Sequence, residues 1–544
     1  MKYIFVSGGV ISGIGKGTTA ASIAFLLKSA GYKIAPIKFE NYLNLDAGTI
    51  NPIEHGDPFL CEDGTEADMD IGTYEKFLDE DMGKDNFVTM GRIYQSVIDR
   101  ERRFEYNGED VEAIPYLTNE IIDRINHLGR LKRADIVIIE LGGTAGEYQN
   151  VFYYEASRIM TLQNPGDVLH IHVSYVPTPP HLGEPKTKPT QLSVRTLNSL
   201  GIQPDFVITR SEKYLDQRRR ERFALFCNMK PEDIISNPDL KSVYEIPLVL
   251  HKQGMEEKIL NKLGLKVRQP DLRAWEKLVE KINSKNKTVE IAIVGKYFGT
   301  GDYQLRDSYA ALLDAIDHAS WQARLPDGQV GVRVKTKWID AEKVEKNGPE
   351  LIGKPNGLIV PIGWGERGSE GMITAASYAR EKKIPYLGLC YGMQLSVIAF
   401  ARDILGWADA NTTENDQKSG HPVIHLMPKQ KKFMAKRAYG GTMRLGSWEA
   451  LVKKRTRAYD IYKTQHTSER HRHRYEFNNE YSEDFEKNGM VISARSKVEN
   501  LVEIIELPEK VHPFYMGTQG HPEYKSRPLK PHPIFLAFIS AASK

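Results

Sequence analysis

Short apolar runs alternate with amphipathic stretches along the first half of the chain. Residues 2–7, 33–38, 134–140, 168–176 and 205–210 are rich in β-branched and aromatic side chains, as buried parallel strands are. Segments with helical periodicity separate these runs. The alternation predicts an α/β fold built on an open parallel sheet.

The same pattern starts again in the second half. After a charged helical stretch over residues 266–288, apolar runs at 289–294, 357–361 and 384–389 predict a second parallel sheet. We therefore predict two α/β domains, residues 1–265 and 289–544, joined by a linker over 266–288.

Composition narrows the class of protein. The 544 residues are 41% hydrophobic, 27% charged and 9% aromatic, with a net charge of +3, which is typical of a globular chain and argues against a dedicated nucleic-acid binder. No run of about 18 apolar residues predicts a membrane span. The N-terminus lacks the features of a signal peptide. Three cysteines (Cys61, Cys227, Cys390) are too few for a disulfide framework. We expect a cytoplasmic multidomain enzyme.

Residues 8–18 are rich in glycine and lie between the first strand and a helix that starts near Lys16. Such a junction holds phosphates with backbone N–H groups and a helix N-terminus. The strict P-loop spacing is not met, because Val10 stands where a glycine is needed and Gly17 follows the lysine. A plain glycine-rich turn is the alternative. We favour a variant phosphate loop, with Lys16 and the hydroxyl of Thr18 facing the phosphates.

The next strands end in charged residues. Lys38 ends one strand and Glu140 ends another. Because parallel strands share one carboxyl edge, Lys16, Lys38 and Glu140 are expected to meet there, the carboxylate serving Mg²⁺. The acidic run 62–70 offers further carboxylates. Spacing alone does not tell which of them binds metal, and a solvated acidic face is the more frequent explanation of such a run.

Three further charged segments are less specific. Two lysines and two prolines in residues 183–191 suit a loop for a second anionic ligand, although lysine-rich loops are usually only solvated. The basic runs 217–222 and 470–474 suggest nucleic-acid binding, which the near-neutral net charge disfavours.

Cys390 lies between glycines, after an apolar strand and before a helix. That arrangement is typical of a nucleophile elbow, in which following N–H groups activate the thiol and stabilise an oxyanion. His521 supplies a base, and Glu523 an orienting carboxylate. A buried inert cysteine is the alternative for an arbitrary cysteine, but the flanking glycines and the His-Pro-Glu sequence favour a catalytic one.

Over nearly its full length the sequence resembles the CTP synthase family. The resemblance rests on residues 8–12 (GGVIS), 15–17 (GKG), 46–49 (DAGT), 62–66 (EDGTE), 142–144 (GGT), 186–191 (KTKPTQ), 224–228 (ALFCN), 440–446 (GGTMRLG) and 469–476 (ERHRHRYE). It implies an N-terminal amidoligase domain of the P-loop/dethiobiotin-synthetase type and a C-terminal class I glutamine amidotransferase domain. The implied reaction makes CTP from UTP, ATP and glutamine through a 4-phosphorylated UTP, with ammonia passed between the domains. The resemblance also implies Mg²⁺, GTP as activator, CTP as inhibitor, and a homotetramer that could form filaments.

Site residues follow from the resemblance position by position. The implied ATP-binding residues are Gly13, Ile14, Gly15, Lys16, Gly17, Thr18, Lys38, Asp70, Pro238, Asp239 and Leu240, with Asp70 and Glu140 for the metal. The implied UTP- and CTP-binding residues are Ser12, Glu147, Tyr148, Gln149, Lys186, Thr187, Lys188, Pro189, Thr190, Gln191 and Arg222. In the second domain Cys390, His521 and Glu523 are the implied catalytic residues, and the glutamine-binding residues are Gly363 (also for the oxyanion), Tyr391, Gly392, Met393, Gln394, Glu414 and Arg474.

Several positions depart from the family pattern. Gln149 replaces an acid associated with the CTP ribose, so we hypothesise altered inhibition by CTP. Ile362 and Trp364 crowd the oxyanion loop, which bears on activation by GTP. Arg222 replaces a lysine with a different donor geometry. The two remaining departures are Glu40 for an aspartate and Pro238 for a lysine.

Two rival functions stay open from the sequence. One is an ATP-dependent amidating enzyme that acts on a non-nucleotide acid, which the loop 186–191 disfavours. The other is a catalytically idle scaffold or filament-forming protein that responds to ligands. It is disfavoured by the presence of Lys16, Glu140, Cys390, His521 and Glu523.

Overall fold

The computed structural model describes residues 1–52, 56–284, 287–300, 303–304, 306–325, 328–437 and 439–544. Contacts divide the chain into two compact units. Unit 1 comprises residues 1–45 and 70–279, and unit 2 comprises residues 46–69 and 280–544. Within the described ranges, no helix combines the length and the apolar character that crossing a membrane requires.

Twenty-three strands occur in the described ranges. They are β1 (Lys2–Gly9), β2 (Ile34–Glu40), β3 (Phe59–Leu60), β4 (Glu66–Ala67), β5 (Phe87–Thr89), β6 (Ile136–Leu141), β7 (Val168–Tyr175), β8 (Phe206–Ser211), β9 (Ile234–Pro238), β10 (Thr288–Gly295), β11 (Gly299–Thr300), β12 (Tyr303–Gln304), β13 (Arg333–Asp340), β14 (Gly357–Val360), β15 (Tyr386–Leu389), β16 (Asn411–Thr412), β17 (Pro422–Leu426), β18 (Arg444–Val452), β19 (His466–His473), β20 (Tyr475–Phe477), β21 (Val491–Ser496), β22 (Val502–Glu506) and β23 (Tyr515–Thr518).

The α-helices of the described ranges connect these strands. They are α1 (Lys16–Ser29), α2 (Met69–Leu78), α3 (Met90–Arg102), α4 (Ala113–Leu131), α5 (Val151–Gln163), α6 (Lys188–Ser199), α7 (Gln217–Cys227), α8 (Ile246–His251), α9 (Met255–Lys262), α10 (Arg273–Ile282), α11 (Ala310–Ser320), α12 (Ala341–Asn347), α13 (Ser369–Glu381), α14 (Tyr391–Asp403), α15 (Gln430–Ala435), α16 (Arg457–Tyr462), α17 (Ser482–Lys487) and α18 (Pro533–Ala542).

Unit 1 is built on a seven-stranded sheet in the order β5-β2-β6-β1-β7-β8-β9. Every neighbouring pair in this sheet is parallel. The strands are buried along almost their whole length because helices cover both faces of such a sheet. Strand order reverses at β1, so the loop after β1 lies at a switch point, where open α/β sheets bind ligands. The predicted parallel α/β architecture of the first half is confirmed.

Unit 2 is built on a nine-stranded sheet in the order β13-β10-β14-β15-β23-β22-β21-β18-β19. The five strands from β13 to β23 pair in parallel, as predicted for an α/β domain. The remaining four strands pair antiparallel, so the second sheet is mixed rather than purely parallel. The last strand of this antiparallel extension, β19, carries residues 470–473 of the basic run.

Residues 46–69 lie in the first half of the sequence but belong to unit 2 by their contacts. They form a two-stranded antiparallel hairpin of β3 and β4. The chain enters this segment after Leu45 and leaves it at Asp70. We call residues 46–69 the inserted segment.

The structure corrects the predicted loop over residues 183–191. Helix α6 begins at Lys188, so Lys188 to Gln191 form its first turn. Pro189 suits that position, because a proline in the first turn leaves no intrahelical hydrogen bond unmade. Of the predicted loop, residues 183–187 remain outside the helix.

Part of the predicted linker packs on unit 1. Trp275 of α10 is 2% exposed, and its ring centroid lies 4.2 Å from that of Phe25 and 5.3 Å from that of Phe77. Its indole N–H donates to the Tyr244 carbonyl oxygen at 2.7 Å. A helix this short needs such packing to be stable, because isolated short helices are marginal in water. The domain limits at residues 265 and 289 remain a prediction.

We expect Trp275→Ala to destabilise unit 1 by about 3–5 kcal/mol, because it leaves a large cavity and removes the hydrogen bond to the Tyr244 carbonyl oxygen. The measurement is the urea midpoint of the first unfolding transition, followed by circular dichroism. Glu276→Ala on the exposed side of the same helix is the matched control, and we expect its midpoint to stay near that of the unmodified chain. Equal midpoints for both variants would contradict the packing role.

Candidate active sites

Lysines and carboxylates meet at the carboxyl edge of the sheet in unit 1. The Nζ of Lys38 lies 2.8 Å from Glu140 Oε1 and 3.1 Å from Glu40 Oε1, and it also contacts the Asp70 carboxylate. Lys38 and Glu140 face each other in the register of β2 and β6. Glu40 thus reaches the same edge, as its longer side chain permits.

The charges in this cluster perturb one another. Burial lowers the pKa of Lys16, and so does the positive charge of Lys38, whereas the nearby carboxylates raise it. Burial and then Asp70 raise the pKa of Glu140 to about 7, against the opposing effect of Lys38. The Lys16 ammonium donates to the Gly143 carbonyl oxygen at 2.6 Å. Lys16, Lys38 and Glu140, predicted to meet at this edge, are therefore neighbours in the structure, together with Asp70, which the resemblance implies.

The structure gives a reason for one departure from P-loop spacing, the glycine that follows Lys16. A Cβ on Gly17 would lie 2.0 Å from Asp70 Oδ1, so no serine or threonine fits at that position. Gly15 has a φ of 86° at the N-cap of α1, in the left-handed region that favours glycine. The Thr18 hydroxyl donates to the Gly15 carbonyl oxygen at 3.0 Å. The loop thus gives the Asp70 carboxylate direct access to the start of α1.

Arg210 is a residue of this site that the sequence interpretation missed. Its guanidinium donates to the carbonyl oxygens of Asn237 at 3.0 Å and Pro238 at 2.9 Å, and it lies 3.2 Å from the Asp239 carboxylate. Its Nε is 3.9 Å from where a Cβ on Gly15 would lie. A charged residue near the end of a parallel strand was the signal that identified Lys38 and Glu140, and it applies equally to Arg210.

The predicted uracil-nucleotide residues after β7 form a partly exposed group. Lys186 pairs with Glu184, whose pKa is lowered by Lys186 and, more weakly, by Arg222. The Lys188 ammonium lies 5.1 Å from the centroid of the Phe226 ring. The amide of Gln191 donates to the Thr187 hydroxyl at 3.1 Å.

Glu147 and the two residues that follow it have different surroundings. The Glu147 carboxylate accepts hydrogen bonds from the Thr144 backbone N–H at 2.7 Å and from Asn41 at 2.9 Å. Tyr148 is 92% exposed. Tyr148 and Gln149 line an open cavity of about 660 Å³. Glu147 is therefore held by the protein, whereas Gln149 faces open space.

In unit 2, Cys390 lies between β15 and α14 with φ 51° and ψ −100°. A Cβ on Gly392 would lie 1.9 Å from the Val360 carbonyl oxygen, and one on Gly388 would lie 2.7 Å from the Gly392 carbonyl carbon. The two flanking glycines are therefore required by close backbone approach. A positive φ at a non-glycine residue is a strained conformation of the kind that functional sites retain.

His521 and Glu523 lie beside this elbow. The Nδ1 of His521 is 2.8 Å from Glu523 Oε1, and both side chains are buried. Burial opposes a charge on His521, but Glu523 and Cys390 outweigh it and raise the His521 pKa to about 10. The amide of Gln519 lies 3.5 Å from the Cys390 sulfur. The structure thus brings the three predicted catalytic residues together.

The predicted glutamine-binding residues surround the elbow on several sides. Tyr391 donates its hydroxyl to the Gly365 carbonyl oxygen at 2.8 Å, and Glu414 accepts from the Gly365 N–H at 2.9 Å. Gln394 donates to the Tyr475 carbonyl oxygen at 2.8 Å. Burial raises the pKa of Glu414.

The side chains of two of those residues already contact other parts of the protein. The Met393 side chain is fully buried in the core of unit 2 against Gly517. The Arg474 guanidinium donates to Gln430 at 2.5 Å and to the Tyr439 carbonyl oxygen at 2.7 Å. Met393 can therefore offer a ligand only its backbone.

The loop after β14 carries Gly363, on which a Cβ would lie 3.1 Å from the Tyr391 ring. Ile362 is buried in the core, and Trp364 stacks on the Arg472 guanidinium at 4.6 Å. Lys296, which the sequence interpretation missed, donates to the carbonyl oxygens of Trp364 at 2.9 Å and of Gly365. Burial lowers the Lys296 pKa to about 8.

The basic run on β19 pairs with the acidic run of the inserted segment. Arg470 Nε lies 3.0 Å from Glu62 Oε2, and Arg472 Nε lies 2.6 Å from Glu66 Oε1. Both arginines are buried. The two runs are therefore partners in unit 2, and the side chains of Arg470 and Arg472 are turned away from solvent.

Comparisons with known proteins agree along the whole chain. The family described as "CTP synthase N-terminus" matches residues 2–265, and "Glutamine amidotransferase class-I" matches residues 311–541. CTP synthase of Caldanaerobacter subterraneus is 48% identical over 99% of this chain and 98% of its own length. The CTP synthases of Pyrococcus abyssi and Sulfolobus acidocaldarius are each 46% identical over 100% of this chain, covering 98% and 99% of their own lengths.

The chain belongs to the CTP synthase family. It is therefore a carbon–nitrogen ligase that aminates UTP to CTP and takes its nitrogen from glutamine. The alternative of an amidating enzyme for a non-nucleotide acid is thereby set aside. Among solved structures, a glutaminase domain of Trypanosoma brucei CTPS with bound acivicin aligns with 47% of this chain and 94% of its own, at 35% identity and a TM-score of 0.40. The family assignment rests on the full-length relatives.

In this CTP synthase family member, buried carboxylates also hold the strands around the triad. Glu503 lies 2.6 Å from both Arg444 and His471, and Glu469 lies 2.9 Å from His532. Burial raises the pKa of each glutamate, but the histidine partners and nearby cations outweigh it, so both pKa values fall to about 2. The backbone N–H of His521 donates to the Arg470 carbonyl oxygen at 2.8 Å, which ties the His521 loop to β19.

We expect unit 2 to lose stability as the pH falls from about 4.5 to about 2. A carboxyl group whose folded pKa lies below its unfolded value near 4.3 stabilises the fold above that value, and each glutamate contributes about 3 kcal/mol there. Glu503→Gln should lower stability at neutral pH and flatten this acid dependence. Glu449→Gln, in an exposed pair with Lys497, should leave the dependence unchanged. Denaturant midpoints across this pH range check both, and an equally steep loss in Glu503→Gln would contradict the assignment.

Proposed function

We propose that the two clusters are the two catalytic centres of one glutamine-dependent CTP synthesis. The observation that carries the proposal is that each unit gathers its own complete set of reactive groups. Cys390, His521 and Glu523 lie together in unit 2, and the lysine–carboxylate cluster around Lys38 lies in unit 1.

In unit 2 the Cys390 thiolate attacks the carbonyl carbon of the glutamine side-chain amide. His521 holds the thiol proton and delivers it to the leaving nitrogen, so that ammonia departs and a thioester remains. Water then hydrolyses the thioester to glutamate and frees the thiol. Glu523 orients the imidazole, and the backbone N–H of Gly363 stabilises the oxyanion of each step.

The groups around the elbow bind the glutamine. Tyr391, Gly392, Met393 and Gln394 contribute the first turn of α14, Met393 through its backbone. Glu414 and Arg474 provide opposite charges for the amino and carboxylate ends of the amino acid. The raised pKa of Glu414 and the buried guanidinium of Arg474 suit groups that exchange protein partners for a charged ligand.

In unit 1 the O4 oxygen of UTP attacks the γ-phosphorus of ATP, and ADP leaves. Ammonia then adds to C4 of the uracil, the 4-phosphate leaves with its oxygen, and CTP forms. Phosphorylation is needed because the O4 oxygen is otherwise a poor leaving group. The residues 13–18 hold the ATP phosphates through backbone N–H groups, and Lys16 and Lys38 neutralise the charge that moves during phosphoryl transfer.

Asp70 and Glu140 fit a magnesium ion. Glu140 is buried and Asp70 is partly exposed, both carboxylates lie at one edge of the sheet, and oxygen ligands are those that Mg²⁺ prefers. When bound there, the ion would offset the negative charge of the ATP phosphates. The Lys38 ammonium, which contacts both carboxylates, sets the charge that this edge presents to the nucleotide.

The remaining nucleotide contacts follow the predicted positions. Pro238, Asp239 and Leu240 lie beside the adenine, with Arg210 holding the first two in place. Ser12, Arg222 and residues 186–191 hold UTP, and residues 147–149 hold the ribose of CTP. The proposal also includes activation by GTP, a homotetramer that could form filaments, and a cytoplasmic location, where ATP and UTP are available.

We expect Cys390→Ala to lower glutamine-dependent CTP formation by at least about a thousandfold, because the nucleophile is removed. CTP formation from ammonium, with UTP, ATP and Mg²⁺ present, should stay near that of the unmodified enzyme. Lys38→Met is the complementary variant and should lose activity with both nitrogen donors. Glutamine-dependent activity that survives in Cys390→Ala would refute the proposal and reopen the catalytically idle scaffold.

We expect Gln149→Glu to strengthen inhibition by CTP by about tenfold, because a carboxylate makes stronger hydrogen bonds to ribose hydroxyls than an amide does. The measurement is the CTP concentration that halves the ammonium-dependent rate at fixed UTP. Gln95→Glu, which adds the same charge to the same cavity, is the matched control and should leave this concentration unchanged. Identical inhibition curves for Gln149→Glu and the unmodified enzyme would remove the hypothesis.

A further inference from the structure

The inserted segment places a carboxylate behind the catalytic histidine. The hydroxyl of Tyr524 donates to Asp57 Oδ2 at 3.0 Å and lies 3.2 Å from the Pro58 carbonyl oxygen. The Tyr524 ring lies 5.3 Å from the His521 ring, with 33° between their planes. Phe59 packs edge-on against Tyr524, also at 5.3 Å between ring centroids. Asp57 thus fixes an aromatic ring that in turn packs against the catalytic imidazole.

The Asp57 carboxylate also lies near Arg472, a residue that contacts the elbow. Asp57 Oδ1 lies 3.6 Å from Nη1 of Arg472, whose carbonyl oxygen is 3.9 Å from the Cys390 sulfur. Asp57, Tyr524 and Glu523 line one small cavity of about 10 Å³ together with Ile362 of the oxyanion loop. Two routes therefore connect Asp57 to the reacting groups, one through Tyr524 and one through Arg472.

The charge of Asp57 also acts on the triad. Burial raises the Asp57 pKa overall, although Arg472, His521 and the Tyr524 hydrogen bond act to lower it. A buried carboxylate near an imidazole favours the imidazolium, because their charges attract in a weakly polar surrounding. That is the charged form of His521 that the glutaminase chemistry requires while the thiolate attacks.

We propose that Asp57 is a positioning residue of the glutaminase centre, which acts through Tyr524 and Arg472 to hold His521 in the orientation and charge state that the reaction with glutamine needs. The inference rests on the proposed role of His521. It also gives the inserted segment a function, because a stretch of chain from the amidoligase half of the sequence completes the glutaminase centre. Asp57 touches neither substrate nor the reacting atoms, so its effect is indirect.

Asp57→Asn tests this in the full-length enzyme. The amide keeps the shape and can still accept the Tyr524 hydrogen bond, but it removes the charge. We expect kcat for glutamine hydrolysis to fall by about tenfold with little change in KM, and the alkaline limb of its kcat/KM profile to move to lower pH, because the imidazolium loses a stabilising carboxylate. CTP formation from ammonium should be unchanged.

Two further variants make the test decisive. Tyr524→Phe keeps the ring and breaks the link, and it should lower kcat for glutamine without affecting the ammonium-dependent rate. Asp63→Asn removes a charge from an exposed position of the same segment and should change neither rate.

An Asp57→Asn enzyme with an unchanged kcat and pH profile would overturn the inference. An equal loss with both nitrogen donors would overturn it too, because the effect would then be structural. Failure of the proposed function would give a different result from failure of this inference, because glutamine-dependent activity would then survive in Cys390→Ala.

Discussion

Buried charge that must be neutralised organises both halves of this protein. An unpaired ion in the interior costs several kcal/mol, so a buried lysine or arginine requires carboxylate or carbonyl oxygens around it. Lys38 meets this requirement with Glu40, Asp70 and Glu140, and these contacts draw the ends of β2 and β6 and the start of α2 to one point. On β19 the requirement is met from the inserted segment, because the arginines have Glu62 and Glu66 as partners.

The inserted segment connects these two arrangements along the chain. Its acidic residues neutralise β19 in unit 2, and the first residue after it, Asp70, contacts Lys38 in unit 1. Strand β19 in turn holds the loop of His521 through the Arg470 carbonyl oxygen and faces the Cys390 sulfur with the Arg472 carbonyl oxygen. A single continuous stretch from residue 46 to residue 70 therefore contributes to the surroundings of both reactive clusters.

Much of the fold could be predicted from local pattern, because buried parallel strands and the glycines at tight strand-to-helix turns leave signals within a few residues. The elbow at Cys390 and the loop before Lys16 are of this kind. The membership of residues 46–69 in unit 2 could not be predicted in this way. The partners of Glu62 and Glu66 lie some four hundred positions away, and ion pairing leaves no periodicity in the sequence. Asp57 and Tyr524 were missed for the same reason, because their hydrogen bond joins distant segments. The mixed parallel and antiparallel pairing of the second sheet was not predicted, because β18 and β19 carry polar side chains at positions that the fold buries.

The central claim is that one half of the chain activates the uracil oxygen with ATP while the other supplies the nitrogen. The most direct measurement uses UTP labelled with ¹⁸O at the 4-position, turned over with ATP, Mg²⁺ and glutamine, and follows the label in the inorganic phosphate by ³¹P NMR. The account predicts that each CTP formed is accompanied by one phosphate carrying ¹⁸O from the uracil. Label released into water, with unlabelled phosphate, would contradict it.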